Sequence, residues 1–193
     1  MKQYLHDQDG AISVEFLITF PLLMLWLVFS FIFFDAYRSN SQTEKVAYTM
    51  SDIMSRHDAV DATDIAFVFG LQDKMLPPRL DQRASRITSI CFEDGVYKVL
   101  WSISDTDPGV EGMAPLTDET IPLDIMPAMA AQDSVILTEV RARWTPITSY
   151  GGLPPRQWVN ALVSRPRFVQ IIPHETLNTS TICPVTVGGS SGT

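Results

Sequence analysis

Residues 10–34 read GAISVEFLITFPLLMLWLVFSFIFF, and the 19 of them from Phe16 to Phe34 carry no charge. As an α-helix rising ~1.5 Å per residue this run measures about 28 Å, close to the ~30 Å hydrocarbon core of a bilayer. Glu15 and Asp35 bound it, so the pattern predicts one membrane-spanning helix. Pro21 removes a helix hydrogen bond inside the span and is expected to bend its axis. A secretory signal peptide would need a basic start, an apolar stretch of about 7 to 15 residues and a small-x-small cleavage site. This run is longer and ends in Phe33-Phe34-Asp35-Ala36-Tyr37, so a retained helix is the expectation.

Whole-chain composition gains meaning once that run is set apart. The 193 residues are 46% hydrophobic and 19% charged, with net charge −8 and mean hydropathy +0.09. Those values exclude an intrinsically disordered chain, a collagen-like repeat and a basic nucleic-acid binder. Orientation is contested between two signals. Lys2 precedes the span while Arg38 and Lys45 follow it, which by the positive-inside count puts the N-terminus outside. The cysteines argue the other way. Cys91 and Cys183 lie far apart after the span, outside any CxxC or His-rich setting. Such a pair fits a disulfide in an oxidising compartment, with two unrelated buried thiols as the alternative.

Ahead of the span stands the polar stub MKQYLHDQDG, then Gly10-Ala11-Ile12-Ser13-Val14-Glu15-Phe16. The stub is either an idle cytoplasmic tail or a leader to be removed. A carboxylate within a membrane helix costs about 2.5 to 3.5 kcal/mol at the bilayer centre and usually has a partner. Glu15 either finds one or simply marks the helix boundary.

Gly10, four small or apolar residues, Glu15 and an aromatic leading into a membrane helix resemble the class III prepilin processing site. GAISVEFLITFPLLMLWLVF with its early Pro21 is similar to the start of TadE-like pseudopilins of the tight adherence (Tad, or Flp) pilus system. Asp133 to Val140 with Trp144-Thr145-Pro146 resembles a strand of the same family. Phe16 stands where the major Flp pilins have tyrosine, which favours a minor pseudopilin. The resemblance implies that a membrane prepilin peptidase cuts after Gly10, that Ala11 becomes the N-terminus, and that Glu15 meets the new ammonium of a neighbouring subunit. Pairing two groups that are each costly in lipid would set the register of helix packing. It also implies partners among other pilins or pseudopilins and the inner-membrane platform, and a C-terminal domain that is periplasmic or extracellular.

Beyond the span the expected fold class is α+β: the membrane helix extends into an amphipathic helix packed on a small antiparallel, pilin-like sheet. The expected division is a leader over 1–10, a span over 11–34, an α+β domain over 35–186 and a flexible tail over 187–193. Ala36, Val46, Met50, Ile53 and Met54 recur near helical spacing, with Arg38, Gln42, Glu44, Lys45 and Asp52 on the polar side. A second helix is predicted over 62–75, capped by Asp61 or Thr63, burying Ile65, Phe67, Val68, Leu71 and Met75 and stopped by Pro77-Pro78. Asp94-Gly95 favours a type I′ turn between strands 85–93 and 96–104, the second alternating Tyr97, Val99, Trp101 and Ile103. Further strands are expected over 134–144 and 168–172, with a short helix near 124–131.

No catalytic constellation stands out, and the reading is structural rather than enzymatic, with no metal and no cofactor. His6, His57 and His174 are scattered. Asp105, Asp107 and Glu111 resemble a calcium loop in part, but Gly109 comes one place early and Leu116 stands where the closing Glu is needed. A solvated acidic loop is therefore expected. Between Glu93 and Asp133 nine acidic residues face Lys98 alone, whereas Arg141, Arg143, Arg156, Arg165 and Arg167 follow with Glu139 alone. Opposed patches of this kind suit head-to-tail or hetero-oligomeric contacts better than nucleic acid. The competing function is an uncleaved, single-pass membrane-anchored binding or receptor module.

Overall fold

A computed structural model describes residues 9–108, 110–147 and 153–184. The elements run α1 (Asp9–Met54), α2 (Ala62–Met75), β1 (Leu80–Glu93), β2 (Val96–Thr106), β3 (Ser134–Trp144) and β4 (Arg156–Ser164), with a 3₁₀ turn at Asp118–Thr120. The fold is α+β, with one antiparallel sheet ordered β2-β1-β3-β4. The chain divides into two compact units, one built on α1 up to Arg38 and the other, from Ser39, holding α2 and every strand.

In the first unit α1 passes through Pro21 as helix, and it is long and apolar enough to cross a membrane. Most of its large side chains, among them Leu17, Trp26, Phe31 and Phe34, are exposed, whereas Ile32 is buried. The hydroxyls inside the run bond back to their own helix. Thr19 Oγ1 donates to the Glu15 carbonyl at 2.7 Å and Ser30 Oγ to the Trp26 carbonyl at 3.0 Å, which satisfies them without water.

In the second unit the last turns of α1 bury Ser39, Thr43, Val46, Ala47, Met50, Ser51 and Met54, the i, i+3, i+4 stripe of a packed helix. Ile53, expected in that stripe, is only half-buried. Ser51 Oγ donates to Ser164 Oγ at 2.7 Å. Ser164 pairs with Ile136, so α1 lies over the sheet face that carries Ile136. Helix α2 starts in a capping box, Asp64 N–H to Asp61 Oδ1 at 2.7 Å and Asp61 N–H to Asp64 Oδ2 at 3.2 Å. Asp61 is thus the cap. Its buried face is Ile65, Val68, Phe69 and Gln72, continued by Leu76. Phe67, expected inside, points outward because it lies two positions from Ile65, on the far side of the helix.

The hairpin turns at Asp94 (φ +51°) and Gly95 (φ +78°), with Glu93 opposite Val96. Both turn residues occupy the left-handed region that a type I′ turn requires. The alternation along β2 does not hold. Ser89 faces Trp101 and Ile90 faces Val99, so Leu100 is an extra, bulged residue. Tyr97 and Val99 consequently share a face with Ile90, while Trp101 and Ile103 stand on the opposite face with Ser89 and Ile87. The Ile90 face is covered by the segment after β2, through Leu116 and Ile121 packed with Val135 and Leu137.

Two expected elements are corrected. The region 124–131 holds turns, not a helix: Ile125 N–H reaches the Pro122 carbonyl and Met126 N–H the Leu123 carbonyl. Pro127 disfavours helical backbone at Met126. The fourth strand is Arg156–Ser164, whereas 168–172 is irregular between Pro166 and Pro173. Residues 1–8 of the expected 1–10 leader, and the whole of the expected tail over 187–193, lie outside the described residues.

Candidate functional site

Three features carry functional expectations: the N-terminal end of α1, the cysteine pair and the charged surfaces. At the first, Gly10 and Ala11 lie in the opening turn of α1. A protease takes its substrate as extended backbone approached closely, so cleavage after Gly10 would require that turn to unwind. Glycine makes the unwinding cheap, because in helix it costs roughly 1 kcal/mol relative to alanine. Glu15 follows in the second turn and is exposed, with no partner for its carboxylate among the described residues. Phe16 stacks on Phe20 with ring centroids 5.3 Å apart. An unpaired carboxylate beside an exposed apolar helix has to be met by a group from elsewhere if the helix enters lipid.

Cys91 and Cys183 form a disulfide, with Cα atoms 5.8 Å apart and a sequence separation of 92. Both are fully buried. Closing a loop of that length contributes about 4 kcal/mol on chain-entropy grounds. The bond is set in place by a residue the sequence does not advertise. Gln132, held at φ +65°, accepts the Cys183 N–H at its Oε1 (3.0 Å) and donates from Nε2 to the Cys183 carbonyl (3.3 Å) and to Glu93 Oε2 (2.8 Å). One side-chain amide thereby pairs with the Cys183 peptide as a neighbouring strand would. Lys98 Nζ also donates to the Pro184 carbonyl, fastening the segment beyond the bond.

The acidic run is in part internal scaffolding. Asp107 Oδ2 accepts the Arg83 N–H at 2.8 Å, and Asp118 Oδ1 accepts the Val99 N–H at 2.7 Å. Asp107 is therefore committed to the sheet, and no group of three or more His, Cys, Asp or Glu side chains among the described residues can hold a metal ion. Arg86 and Glu139 form a largely buried pair, 2.6 Å apart with side-chain exposures of 14% and 10%, and Arg86 also donates to the Ala114 carbonyl. This pair ties the covering segment to the sheet. Of the basic run, Arg165 meets Asp133 at 3.2 Å and Arg167 meets Asp52 at 2.6 Å. Arg141, Arg143 and Arg156 have no ion pair among the described residues.

Among the described histidines, His174 serves a turn. His174 is buried and its Nδ1 accepts the N–H groups of Thr176 and Leu177, each at 3.2 Å. His57 lies 3.8 Å from Asp64 at the start of α2, and His6 is outside the described residues. Neither a protein-family model, nor a characterised protein, nor a solved structure matches this chain.

Proposed function

We propose that the chain is a structural, non-enzymatic component of a Tad-type pilus: a TadE-like minor pseudopilin, made as a prepilin and held in the inner membrane by α1. The observation that carries this reading is the start of α1. Gly10 and Glu15 stand five positions apart at the head of an exposed apolar run, and the same helix ends in a disulfide-braced α+β unit. In this reading a prepilin peptidase cuts between Gly10 and Ala11, and the Ala11 ammonium of one subunit pairs with Glu15 of the next. Membrane lipid and neighbouring pilins or pseudopilins cover the exposed run. The cysteine pair supports a domain on the periplasmic or extracellular side, where disulfides persist.

Mass spectrometry of membrane-extracted protein, from cells that carry the peptidase, tests the proposal. The expected mature N-terminus is Ala11, and a bulky replacement such as Gly10→Leu should leave the precursor uncut. An intact Met1 in wild-type protein would sink the proposal.

A further inference from the structure

The two edges of the sheet are finished differently. Along β2, Asp118 occupies the Val99 N–H and Asn178 Nδ2 donates to the Leu100 carbonyl at 3.2 Å. Along β4, whose pairing to β3 is unbroken from Ser164 opposite Ile136 to Arg156 opposite Trp144, the outward-facing backbone groups have no hydrogen-bond partner among the described residues. Proteins blunt such an edge with a bulge, a proline or an inward-pointing charge. Gln157 to Ser164, reading QWVNALVS, has none of these; charge stands only at its ends, on Arg156 and Arg165, with Pro155 and Pro166 just outside.

The surroundings of that edge are basic. Arg143 lies opposite Gln157 and Arg141 opposite Val159, so both arginines share a face with Val159, which is 57% exposed. These two and Arg156 are the arginines of the basic run that lack an ion pair among the described residues. We propose that the free edge of β4 is a docking edge for an extended segment of another protein, added as a fifth strand, uncharged along its centre and carrying carboxylates that meet Arg141, Arg143 and Arg156. Backbone pairing supplies affinity in such strand addition, and side-chain complementarity supplies selectivity. Antiparallel self-pairing of β4 about Asn160 would bring Arg156 of one copy near Arg165 of the other, which like-charge repulsion opposes. The proposal rests on this unit alone and stands apart from the pilus reading.

The test uses the full chain in non-ionic detergent and two synthetic peptides with the same alternating Thr-Val centre, one flanked by Asp-Glu pairs and one by Lys-Lys pairs. The acidic peptide is expected to bind about tenfold tighter or better, a gap of ~1.4 kcal/mol, and to slow amide exchange across 156–164. Replacing Arg141, Arg143 and Arg156 together by Gln should abolish that preference. Should the variant misfold, the wild-type chain in ~1 M salt must show the same loss through screening. Equal binding of both peptides, or binding that leaves β4 exchange unchanged, overturns the proposal. So does β4 protection without peptide, either in phosphatidylglycerol but not phosphatidylcholine nanodiscs, which assigns the arginines to lipid headgroups, or in a sedimenting dimer, which assigns the edge to a second copy.

Discussion

The two stretches of α1 use opposite chemistry on one helix. Up to Arg38 most of the large apolar side chains are exposed, although Ile32 is buried, whereas from Ser39 to Met54 the buried positions include Ser39, Thr43 and Ser51 beside Val46, Met50 and Met54. Hydrophobicity therefore marks the surface that needs a non-aqueous solvent, and small size marks part of the surface that packs. Thr43 can be fully buried because its Oγ1 donates to the Ser39 carbonyl at 2.9 Å, so its polarity is met within the helix.

The largest expected effect separates the two stretches outright. Cys91→Ser with Cys183→Ser should destabilise the unit from Ser39 onward by about 4 kcal/mol, read as faster amide exchange in β1 and β3. Resistance of the protein to alkaline extraction from membranes should not change, since the first stretch of α1 needs no covalent brace. Loss of both together would show that anchoring depends on the folded unit.

Next come two substitutions of similar size with readouts that should not cross over. Met50 is fully buried, and Met50→Ala should cost about 3 kcal/mol in urea unfolding while leaving membrane extraction unaffected. Leu25→Arg should cost about 3 kcal/mol in membrane insertion while leaving urea unfolding unaffected. A Leu25→Arg chain that remains fully membrane-integrated would break the assignment of this stretch to lipid. A smaller effect sharpens the point about size: Thr43→Leu should cost about 2 kcal/mol by overpacking, although it raises hydrophobicity.

The same contrast explains how much was legible. The membrane-length run, the Asp61 cap, the Asp94-Gly95 turn and the bounds of β3 are local signals with strong physical causes, and each is found in the structure; the cysteine pair, distant in sequence, was legible only because the chain has two cysteines. The buried hydroxyls of α1 were not legible, since a periodicity count scores them as polar. Strand β4 was missed because it carries apolar residues on both faces, Trp158 and Leu162 against Val159 and Val163, so no clean alternation marks it. FVQII at 168–172 looked more strand-like, yet its backbone is held by side chains instead: Ser134 Oγ donates to the Gln170 carbonyl and Trp101 Nε1 to that of Ile172. The Leu100 bulge and the Gln132 clamp depend on contacts distant in sequence, which no local pattern announces. Whether Gly10 and Glu15 serve as the resemblance implies rests on chemistry between chains.

The smallest expected effects are the most pointed, because they set equal exposure against unequal surroundings. Phe31 and Phe67 are both 66% exposed, one within the apolar run and one on α2. If α1 up to Arg38 meets lipid, Phe31→Ser should weaken insertion by about 0.5 kcal/mol and leave urea unfolding alone. Phe67→Ser should change unfolding by no more than ~0.5 kcal/mol, as surface substitutions do, and leave insertion alone. The two aromatics are indistinguishable by exposure within the chain, so any difference between them must come from what lies outside it. A Phe31→Ser chain that inserts as well as wild type would remove that residue's share of the argument for lipid. A marked loss of folding stability in Phe67→Ser would instead show that α2 packs with a face that its burial pattern leaves open.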